Sequence, residues 1–228
     1  MRQLFPKLTF FEWMLWSSSV LAIVLSYCFF PQKDLLSCIG SLVGVTALIF
    51  IAKGAVVGQI LMVLFALFYG FHSLHYRYYG EMLTYLGMSA PAALFNVYSW
   101  LRHPYQGHQQ VEVASLSKKH FFMAFFGSIA VAMLFYFLLR EMGTAKLLLS
   151  TFSVATSFFA AFLSFFRSPW FAIGYVANDI VLIFLWARTV LEAPSTVPVL
   201  VCFCVFLLND LNSFFSWQKM KRNQQKAR

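Results

Sequence analysis

Charged residues are scarce in this chain. Only 11% of its 228 residues are Asp, Glu, Lys or Arg, whereas 61% are hydrophobic and the mean hydropathy is +0.73. Soluble domains carry roughly 25% charged and about 45–50% apolar residues. A chain of this size cannot bury so much apolar surface in water, because much of any folded surface stays exposed. The composition excludes a water-soluble globular protein and predicts that membrane lipid is a partner.

Acidic residues are the rarer of the two charge types. The chain has 8 Asp and Glu against 17 Lys and Arg, and its formal net charge is +9. Most bases stand singly between apolar runs, and five form a tail after the last run: Lys219, Lys221, Arg222, Lys226 and Arg228. A basic tail after a membrane helix is typical of a cytoplasmic end. The charge therefore favours a membrane protein, and no nucleic acid is predicted as a partner.

Metal-ligating and nucleophilic patterns are also missing. The four cysteines lie in apolar stretches without C-x-x-C spacing, which indicates buried hydrophobic side chains. His72 and His75 end one apolar run, but no cysteine or carboxylate lies nearby to complete a zinc site. No histidine lies near the middle of a run, where an intramembrane protease needs its base. The sequence predicts no metal, no cofactor and no enzyme.

Long hydrophobic runs are abundant. A helix that spans a bilayer needs about 20 mostly apolar residues. Eight segments approach or exceed this length; they are approximately residues 11–30, 35–52, 54–75, 80–101, 119–139, 145–166, 169–187 and 196–217. None shows the polar and apolar alternation of a membrane barrel strand. We therefore predict an all-α integral membrane protein with eight transmembrane helices.

The basic residues divide unequally between the two sides of such a bundle. With a cytoplasmic N-terminus, one side receives 12 bases and the other receives 5, which together make the 17 bases of the chain. The richer side normally faces the cytoplasm. We therefore predict a multi-pass protein of the bacterial inner membrane, with both termini and the loop at about 102–118 in the cytoplasm.

An internal repeat is indicated by the ends of the fourth and eighth runs. Residues 96–102 and residues 212–219 each read Asn, an aromatic residue, Ser-Trp and then a base. Gly58 and Gly174 are 116 residues apart, which is also the offset between the two asparagines. Transporters often contain such repeats and bind their substrate between them, near the middle of the membrane.

The repeat predicts a 1+3+1+3 arrangement with parallel three-helix repeats. The predicted layout is an extra N-terminal transmembrane helix (1–34), a first three-helix repeat (35–102), a cytoplasmic loop and linker helix (103–143), a second three-helix repeat (144–218) and a basic cytoplasmic tail (219–228).

Polar residues deep in the runs carry the functional prediction. Asn178 and Asp179 lie near the middle of the seventh run, where inserting an Asp costs roughly 2.5–3.5 kcal/mol. Asn209 and Asn212 belong to a polar stripe of the eighth run. Asn178 would lie roughly 15 Å and Asn209 roughly 12 Å from the cytoplasmic side, so both clusters fall in one layer. Contacts between helices alone stabilise too little to offset burial of an Asp, so we predict a substrate site.

Further candidates lie on the third, fourth and seventh runs. The whole predicted substrate site comprises Gln59, Asn96, Trp170, Tyr175, Asn178, Asp179, Trp186, Asn209 and Asn212. On helical spacing Tyr175 and Trp186 share a face with Asp179, and Trp170 lies on the adjacent face. No Lys or Arg within a run neutralises Asp179, so its partner is a proton, a network with Asp210 and the asparagines, or a cationic substrate. Aromatic rings beside a carboxylate would suit a cationic ring.

Two stretches of the chain resemble the PnuC family of vitamin-precursor transporters. They are residues 79–88 leading to residues 99–102, and residues 170–186, and the resemblance extends over about residues 35–220. It implies a 3+1+3 helix core like that of a full-length SWEET transporter, sometimes preceded by an extra helix. It also implies a homotrimer and facilitated diffusion of nicotinamide riboside, which is trapped inside the cell by phosphorylation.

The resemblance also implies roles for particular residues. The Asn-x-x-Asn pair that family members use for substrate on the last helix matches Asn209 and Asn212, and Gln59 matches a substrate-contacting glutamine. Nicotinamide riboside carriers usually show Trp-x-x-Trp on the seventh helix, where this chain has Ala172 and Tyr175. Thiamine, riboflavin and deoxyribonucleosides, which relatives are thought to carry, therefore stay open as substrates. A non-transporting membrane scaffold or sensor subunit is the alternative from another class.

Overall fold

The computed structural model describes residues 6–29, 35–75, 82–107, 110–144, 146–192 and 194–227. Within these ranges the chain forms eight α-helices and two isolated bridges, with no β-strand. The helices are α1 (Phe10–Phe29), α2 (Leu35–Ala52), α3 (Val56–His75), α4 (Ala90–Arg102), α5 (Lys118–Glu141), α6 (Leu147–Phe165), α7 (Phe171–Glu192) and α8 (Val197–Lys226). The predicted all-α fold is confirmed.

Five of the described helices, α1, α5, α6, α7 and α8, are long and apolar enough to cross a membrane. α2 and α3 contain the shorter apolar stretches Cys38–Ala52 and Val56–Phe71. α4 follows a π-helical segment, Leu83–Ser89, and has Pro91 in its first turn. Because proline has no N–H to donate, the backbone bond at this position is missing and the winding of the helix changes. The fourth predicted run is thus helical but irregular.

The eighth helix is longer than predicted. The sequence places its end near residue 217, whereas α8 continues to Lys226. Gln224 holds this extension: its Oε1 accepts a hydrogen bond from the Val113 N–H at 2.8 Å, and its Nε2 donates to the Val111 carbonyl at 3.0 Å. Met220 is buried against Gly54. The predicted helix end is wrong because the stabilising contacts come from distant loops, which the composition of the tail does not show.

Six helices form a closed ring. Following the ring, α2 packs on α3, α3 on α4, α4 on α6, α6 on α7, α7 on α8, and α8 on α2. α1 lies outside the ring against α2 and α8, and α5 lies outside it against α6. The large side chains Phe122, Phe126 and Phe137 of α5 are exposed. Such outward-facing apolar residues are suited to contact with lipid.

The turn between α2 and α3 resembles the turn between α6 and α7. In each turn three successive backbone N–H groups donate to carbonyls in the last turn of the preceding helix, over 2.8–3.3 Å. Each turn also contains one residue with a positive φ, which is 66° at Gly54 and 54° at Arg167. Equivalent positions of the two turns are 113 residues apart, so Gly58 corresponds to Phe171 rather than to Gly174.

The two Ser-Trp tryptophans make reciprocal contacts at this end of the bundle. Trp100 of α4 donates its indole N–H to the Ser164 carbonyl of α6 at 3.0 Å. Trp217 of α8 donates its indole N–H to the Ile51 carbonyl of α2 at 2.8 Å. The two rings also touch, with centroids 5.2 Å apart. Each tryptophan thus joins the third helix of one predicted repeat to the first helix of the other.

Candidate functional site

Several buried polar atoms have no hydrogen-bond partner among the described residues. Apart from Nε of Arg167, these atoms lie on α4, α7 and α8: Asn96 Oδ1, Asp179 Oδ2, Asn209 Oδ1, Asp210 Oδ1, Asn212 Nδ2 and Ser213 Oγ. Folded proteins leave few such atoms unpaired, because each costs on the order of 1–3 kcal/mol. Counted along the helices from Trp100, Phe171 and Trp217, the six residues lie roughly 6–12 Å into the bundle. We call them the unpaired polar layer.

Gln59 and Asn96 are brought together, and Ser164 of α6 joins them. Asn96 Nδ2 donates to Gln59 Oε1 at 3.4 Å, and Gln59 Nε2 donates to Ser164 Oγ at 3.3 Å. All three side chains are buried. Both polar atoms of the Gln59 amide are therefore engaged, whereas the Asn96 oxygen is left free to accept a further hydrogen bond.

Asp179 and Asp210 face one another where α7 packs on α8. Their carboxyl groups are in hydrogen-bonding contact, and the two residues are only 3% and 2% exposed. Tyr175, one turn before Asp179, lies close enough to interact electrostatically with both acids, and Cys204 interacts with Asp179. No Lys or Arg occurs in residues 168–187 or 197–218. We call Asp179 and Asp210 the carboxyl pair.

Asn178 points to a different helix from its neighbour Asp179. The Asn178 Oδ1 accepts hydrogen bonds from Ser153 Oγ at 2.9 Å and from Thr156 Oγ1 at 3.1 Å. Both donors belong to α6. Successive residues of an α-helix are about 100° apart, so Asn178 meets α6 while Asp179 meets α8. The Asn178 oxygen thus connects α7 to α6.

Asn209 and Asn212 lie on the same helix and have different partners. Asn209 Nδ2 donates to Ser19 Oγ of α1 at 3.1 Å and to the Val205 carbonyl at 2.9 Å, while its Oδ1 stays unpaired. Asn212 has an unpaired Nδ2, and the Ser213 hydroxyl beside it is also unpaired. The two asparagines therefore offer one acceptor and one donor to a bound molecule.

The three predicted aromatic residues are not brought to one place. Tyr175 is half-buried near the carboxyl pair, with its ring 6.1 Å from the Phe171 ring. Trp186 is 9% exposed and belongs to the main hydrophobic core. Trp170 is 48% exposed, and its ring lies 5.6 Å from that of Phe214. Trp170 therefore lies at the surface, away from the carboxyl pair.

Some residues of this region were not in the predicted set. Asp210 lies beside the asparagine stripe rather than on it. Because α8 is covered on one side by α1 and on another by α7, Asn209 and Asp210 each meet a neighbour. Ser164 and Ser19 carry no sequence signal, because isolated serines are common in apolar helices. A second acidic residue at the same depth was the available signal for Asp210.

Metal ligation is not part of this geometry. The side chains of His72 and His75 lie outside the described residues. Elsewhere in the described ranges, no three His, Cys, Asp or Glu side chains group closely enough to hold a metal ion. The arrangement instead presents amide, hydroxyl and carboxyl groups within an apolar bundle, which is the chemistry for binding a polar organic solute by hydrogen bonds and charge.

Comparison with known proteins identifies the family. A profile described as nicotinamide mononucleotide transporter matches residues 34–219. A nicotinamide riboside transporter PnuC from Neisseria mucosa is 25% identical over 228 residues, covering 96% of this chain and 85% of that protein. A crystal structure of the vitamin B3 transporter PnuC matches with a TM-score of 0.84 and 21% identity, covering 97% of this chain and 96% of that chain. The predicted resemblance is confirmed, and these relatives are membrane transporters rather than enzymes. Because the profile covers most of the chain and the whole unpaired polar layer, this chain belongs to the nicotinamide mononucleotide transporter family.

Proposed function

We propose that the protein carries nicotinamide riboside across the bacterial inner membrane by facilitated diffusion. The observation that carries this proposal is the unpaired polar layer, since polar atoms buried without partners in a membrane bundle need a polar ligand. Nicotinamide riboside offers ribose hydroxyls, a carboxamide and a positively charged ring. The relative from Neisseria mucosa, which the chain matches over nearly its full length, is named for this solute.

In this proposal the unpaired atoms bind different polar groups of the solute. Asn209 Oδ1 accepts a hydrogen bond from the ribose or the carboxamide, and Asn212 Nδ2 donates one to them. Asn96 Oδ1 accepts a further hydrogen bond. Gln59 holds Asn96 in place through their mutual hydrogen bond. Asn178 acts as a positioning residue, because its oxygen is bonded to α6.

The carboxyl pair and Tyr175 form the proposed cation end of the site. A carboxylate attracts the positively charged ring, and the aromatic face of Tyr175 adds a cation–π contact. Trp186 belongs to the hydrophobic core and Trp170 lies at the surface, so the proposal gives the ring contact to Tyr175, and contact of the two tryptophans with the solute stays a prediction. Thiamine also carries a cationic ring, so the carboxyl pair makes it the second candidate. Riboflavin and deoxyribonucleosides are uncharged, so neither a carboxylate nor the face of Tyr175 would attract them by charge.

We further propose that the helices work as two three-helix repeats that rock about the site, with α1 and α5 outside them. Support comes from the closed ring of helices, in which α4 meets α6 and α8 meets α2. It also comes from the matching turns and the reciprocal tryptophan bonds. Movement of one repeat against the other would open the site to each side in turn.

The orientation that we propose places both termini in the cytoplasm. Ten described bases lie at the end of the bundle that holds the α2–α3 and α6–α7 turns: Lys7, Lys53, Arg102, Lys118, Lys119, Arg167, Lys219, Lys221, Arg222 and Lys226. Arg140, Lys146 and Arg188 lie at the other end, and Arg2, Lys33, Arg77 and Arg228 lie outside the described residues. Partial burial lowers the pKa of Arg167, but an arginine keeps its charge at neutral pH. The richer end is the cytoplasmic one by the positive-inside rule.

A homotrimer is proposed from the family resemblance. The exposed apolar side chains of α1 and α5, which include Trp13, Leu21 and Phe126, provide surface for contact with neighbouring protomers or with lipid. Native mass spectrometry from lipid nanodiscs tests this directly: the proposal expects three copies per particle, and a monomer would contradict it.

Uptake into proteoliposomes tests the proposed function. Radiolabelled nicotinamide riboside, thiamine, riboflavin and deoxyribonucleosides would be supplied separately to vesicles containing the purified protein. The proposal expects saturable uptake of nicotinamide riboside, with thiamine next and the neutral solutes far behind. A scaffold or sensor subunit predicts no saturable uptake of any of them.

Matched control variants distinguish a loss of the binding site from general damage to the protein. Asp179→Asn and Asn212→Ala should each reduce uptake, because they remove a charge and a donor from the unpaired polar layer. Glu141→Gln and Asn223→Ala make the same kinds of change, carboxyl to amide and Asn to Ala, at exposed positions outside the layer and should leave uptake intact. If both site variants transport every solute as well as the controls do, the assignment of the site is wrong.

A further inference from the structure

The carboxyl pair contains one acid more than a singly charged solute requires. Asp179 of α7 and Asp210 of α8 are in hydrogen-bonding contact and almost completely buried, and each has one oxygen without a partner. A hydrogen bond between two carboxyl groups needs a proton on at least one of them, because a carboxylate only accepts. The pair therefore cannot be described as two carboxylates.

The surroundings of the pair supply no positive charge. The titratable groups facing it are Tyr175 of α7 and Cys202 and Cys204 of α8, all neutral in their ordinary state. Of the other helices packed on α7 and α8, α6 has no titratable side chain within its span, α2 has Cys38, and α1 has Tyr27 and Cys28. Glu12 of α1 is bound to Lys53 at the helix end, at 2.7 Å.

An uncompensated charge in such an environment is costly. Moving an ionised carboxylate into an apolar interior is avoided by binding a proton instead. With no solute present, the pair is therefore neutral, with both acids protonated. A cation that enters this site makes it net positive unless a proton leaves.

We propose that binding of one cationic solute displaces one proton from the carboxyl pair, an inference that rests on the proposed function. The O–H bond of one carboxyl group breaks, its electron pair stays on the new carboxylate, and water or a buffer base takes the proton. No oxidation or reduction occurs. The second carboxyl keeps its proton and donates a charge-assisted hydrogen bond to the carboxylate, while the carboxylate faces the cationic ring.

Exchange of this kind makes protons and cations compete for the site. While both acids are protonated in the empty protein, the Kd for the cation should rise about tenfold for each unit by which the pH falls. A neutral solute of similar shape takes no proton from the pair, so its affinity should not depend on pH. The cation would thus bind more tightly on the more alkaline side of the membrane. Where the empty carrier returns with both acids protonated, the facilitated diffusion of the cation becomes linked to the opposite movement of one proton.

Titration calorimetry on the full chain in lipid nanodiscs tests the exchange. Nicotinamide riboside would be titrated at one pH in two buffers of different ionisation enthalpy, and the difference in heat gives the number of protons released. The proposal expects about one proton per cation bound, and none for the uncharged reduced form, dihydronicotinamide riboside. Binding of the cation without proton release would overturn the inference and leave the proposed function standing. Absence of binding by nicotinamide riboside and thiamine alike would overturn both.

Variants identify the source of the proton. The double variant Asp179→Asn/Asp210→Asn should release none and should bind the cation without dependence on pH. Asp210→Asn alone retains one acid and an amide donor, so it should still release about one proton. Glu141→Gln should behave as the wild type. A double variant that still releases a proton would place its source elsewhere and overturn the proposal. If the double variant fails to fold, the comparison of charged and uncharged solute in the wild type decides the question.

Discussion

The α6–α7 contact satisfies the hydrogen bonds of a buried polar residue of α7, whereas the α7–α8 contact leaves those of its sequence neighbour partly unsatisfied. Asn178, on the first, has an oxygen that accepts two hydrogen bonds from α6. The carboxyl group of Asp179, on the second, is in hydrogen-bonding contact with another acid, and one oxygen of each acid remains unpaired. Both residues are buried at nearly the same depth of the same helix. We infer that a buried polar residue is the better candidate for contact with the solute where the neighbouring helix does not satisfy its hydrogen bonds.

The same distinction holds within α8. Asn209 uses its amide nitrogen to hold α1 through Ser19 and keeps its oxygen free. Asn212, closer to Trp217 along the helix, has a free nitrogen instead. One residue therefore both fastens a helix and contributes to the layer, whereas the other contributes to the layer without fastening α1. Mutations should separate these two tasks.

The largest effect is expected at Asp179. Asp179→Leu removes the charge that complements the cationic ring and the partner of Asp210. Loss of a hydrogen bond to a charged group costs about 1.5–3 kcal/mol, which corresponds to a roughly 10- to 150-fold lower uptake efficiency. The measurement is kcat/KM for nicotinamide riboside in proteoliposomes, normalised to folded protein. Undiminished uptake by Asp179→Leu would remove the distinction between the two contacts.

A smaller effect is expected at Asn212. Asn212→Ala deletes one neutral donor, and such bonds contribute about 1 kcal/mol, so uptake efficiency should fall roughly fivefold. Asn223→Ala, on the exposed end of the same helix, should match the wild type. An equal response of the two variants would show that the loss comes from α8 as a whole.

The smallest effect on transport is expected at Asn178. Asn178→Leu removes the acceptor that connects α7 to α6, and interhelical hydrogen bonds in membranes contribute about 0.6 kcal/mol, at most about 1.7. The thermal midpoint in detergent should therefore fall slightly, while uptake per folded molecule falls less than in Asp179→Leu. A loss of uptake as large as that of Asp179→Leu, without a change in midpoint, would place Asn178 against the solute.

The helices could be predicted from the sequence because the length of an apolar run is a local property of the chain. The eight predicted runs agree with the observed helices to within a few residues at most ends. The end of α8 differs most at a C-terminus, since Gln224 is buried by bonds to Val111 and Val113 more than a hundred residues away. The irregular start of α4 was indicated by Pro91, although the π-helical segment before it was not.

Only part of the site could be predicted from the sequence, because the packing of the helices decides which neighbour a polar residue faces. The depth of Asn178 and Asp179 can be read from their positions, but their separation between α6 and α8 cannot. Asp210 was visible as an acid at the right depth, and its contact with Asp179 appears only once α7 and α8 are placed together. Ser19 and Ser164 became partners of Asn209 and Gln59 for the same reason.

An experimental structure with nicotinamide riboside bound tests the central claim most directly. We predict that the solute lies among α4, α7 and α8, with its ring beside Tyr175 and the carboxyl pair and its polar groups bonded to Asn209 and Asn212. A solute found elsewhere, with Asp179, Asp210 and both asparagines bonded only to one another in a dry contact, would contradict the account.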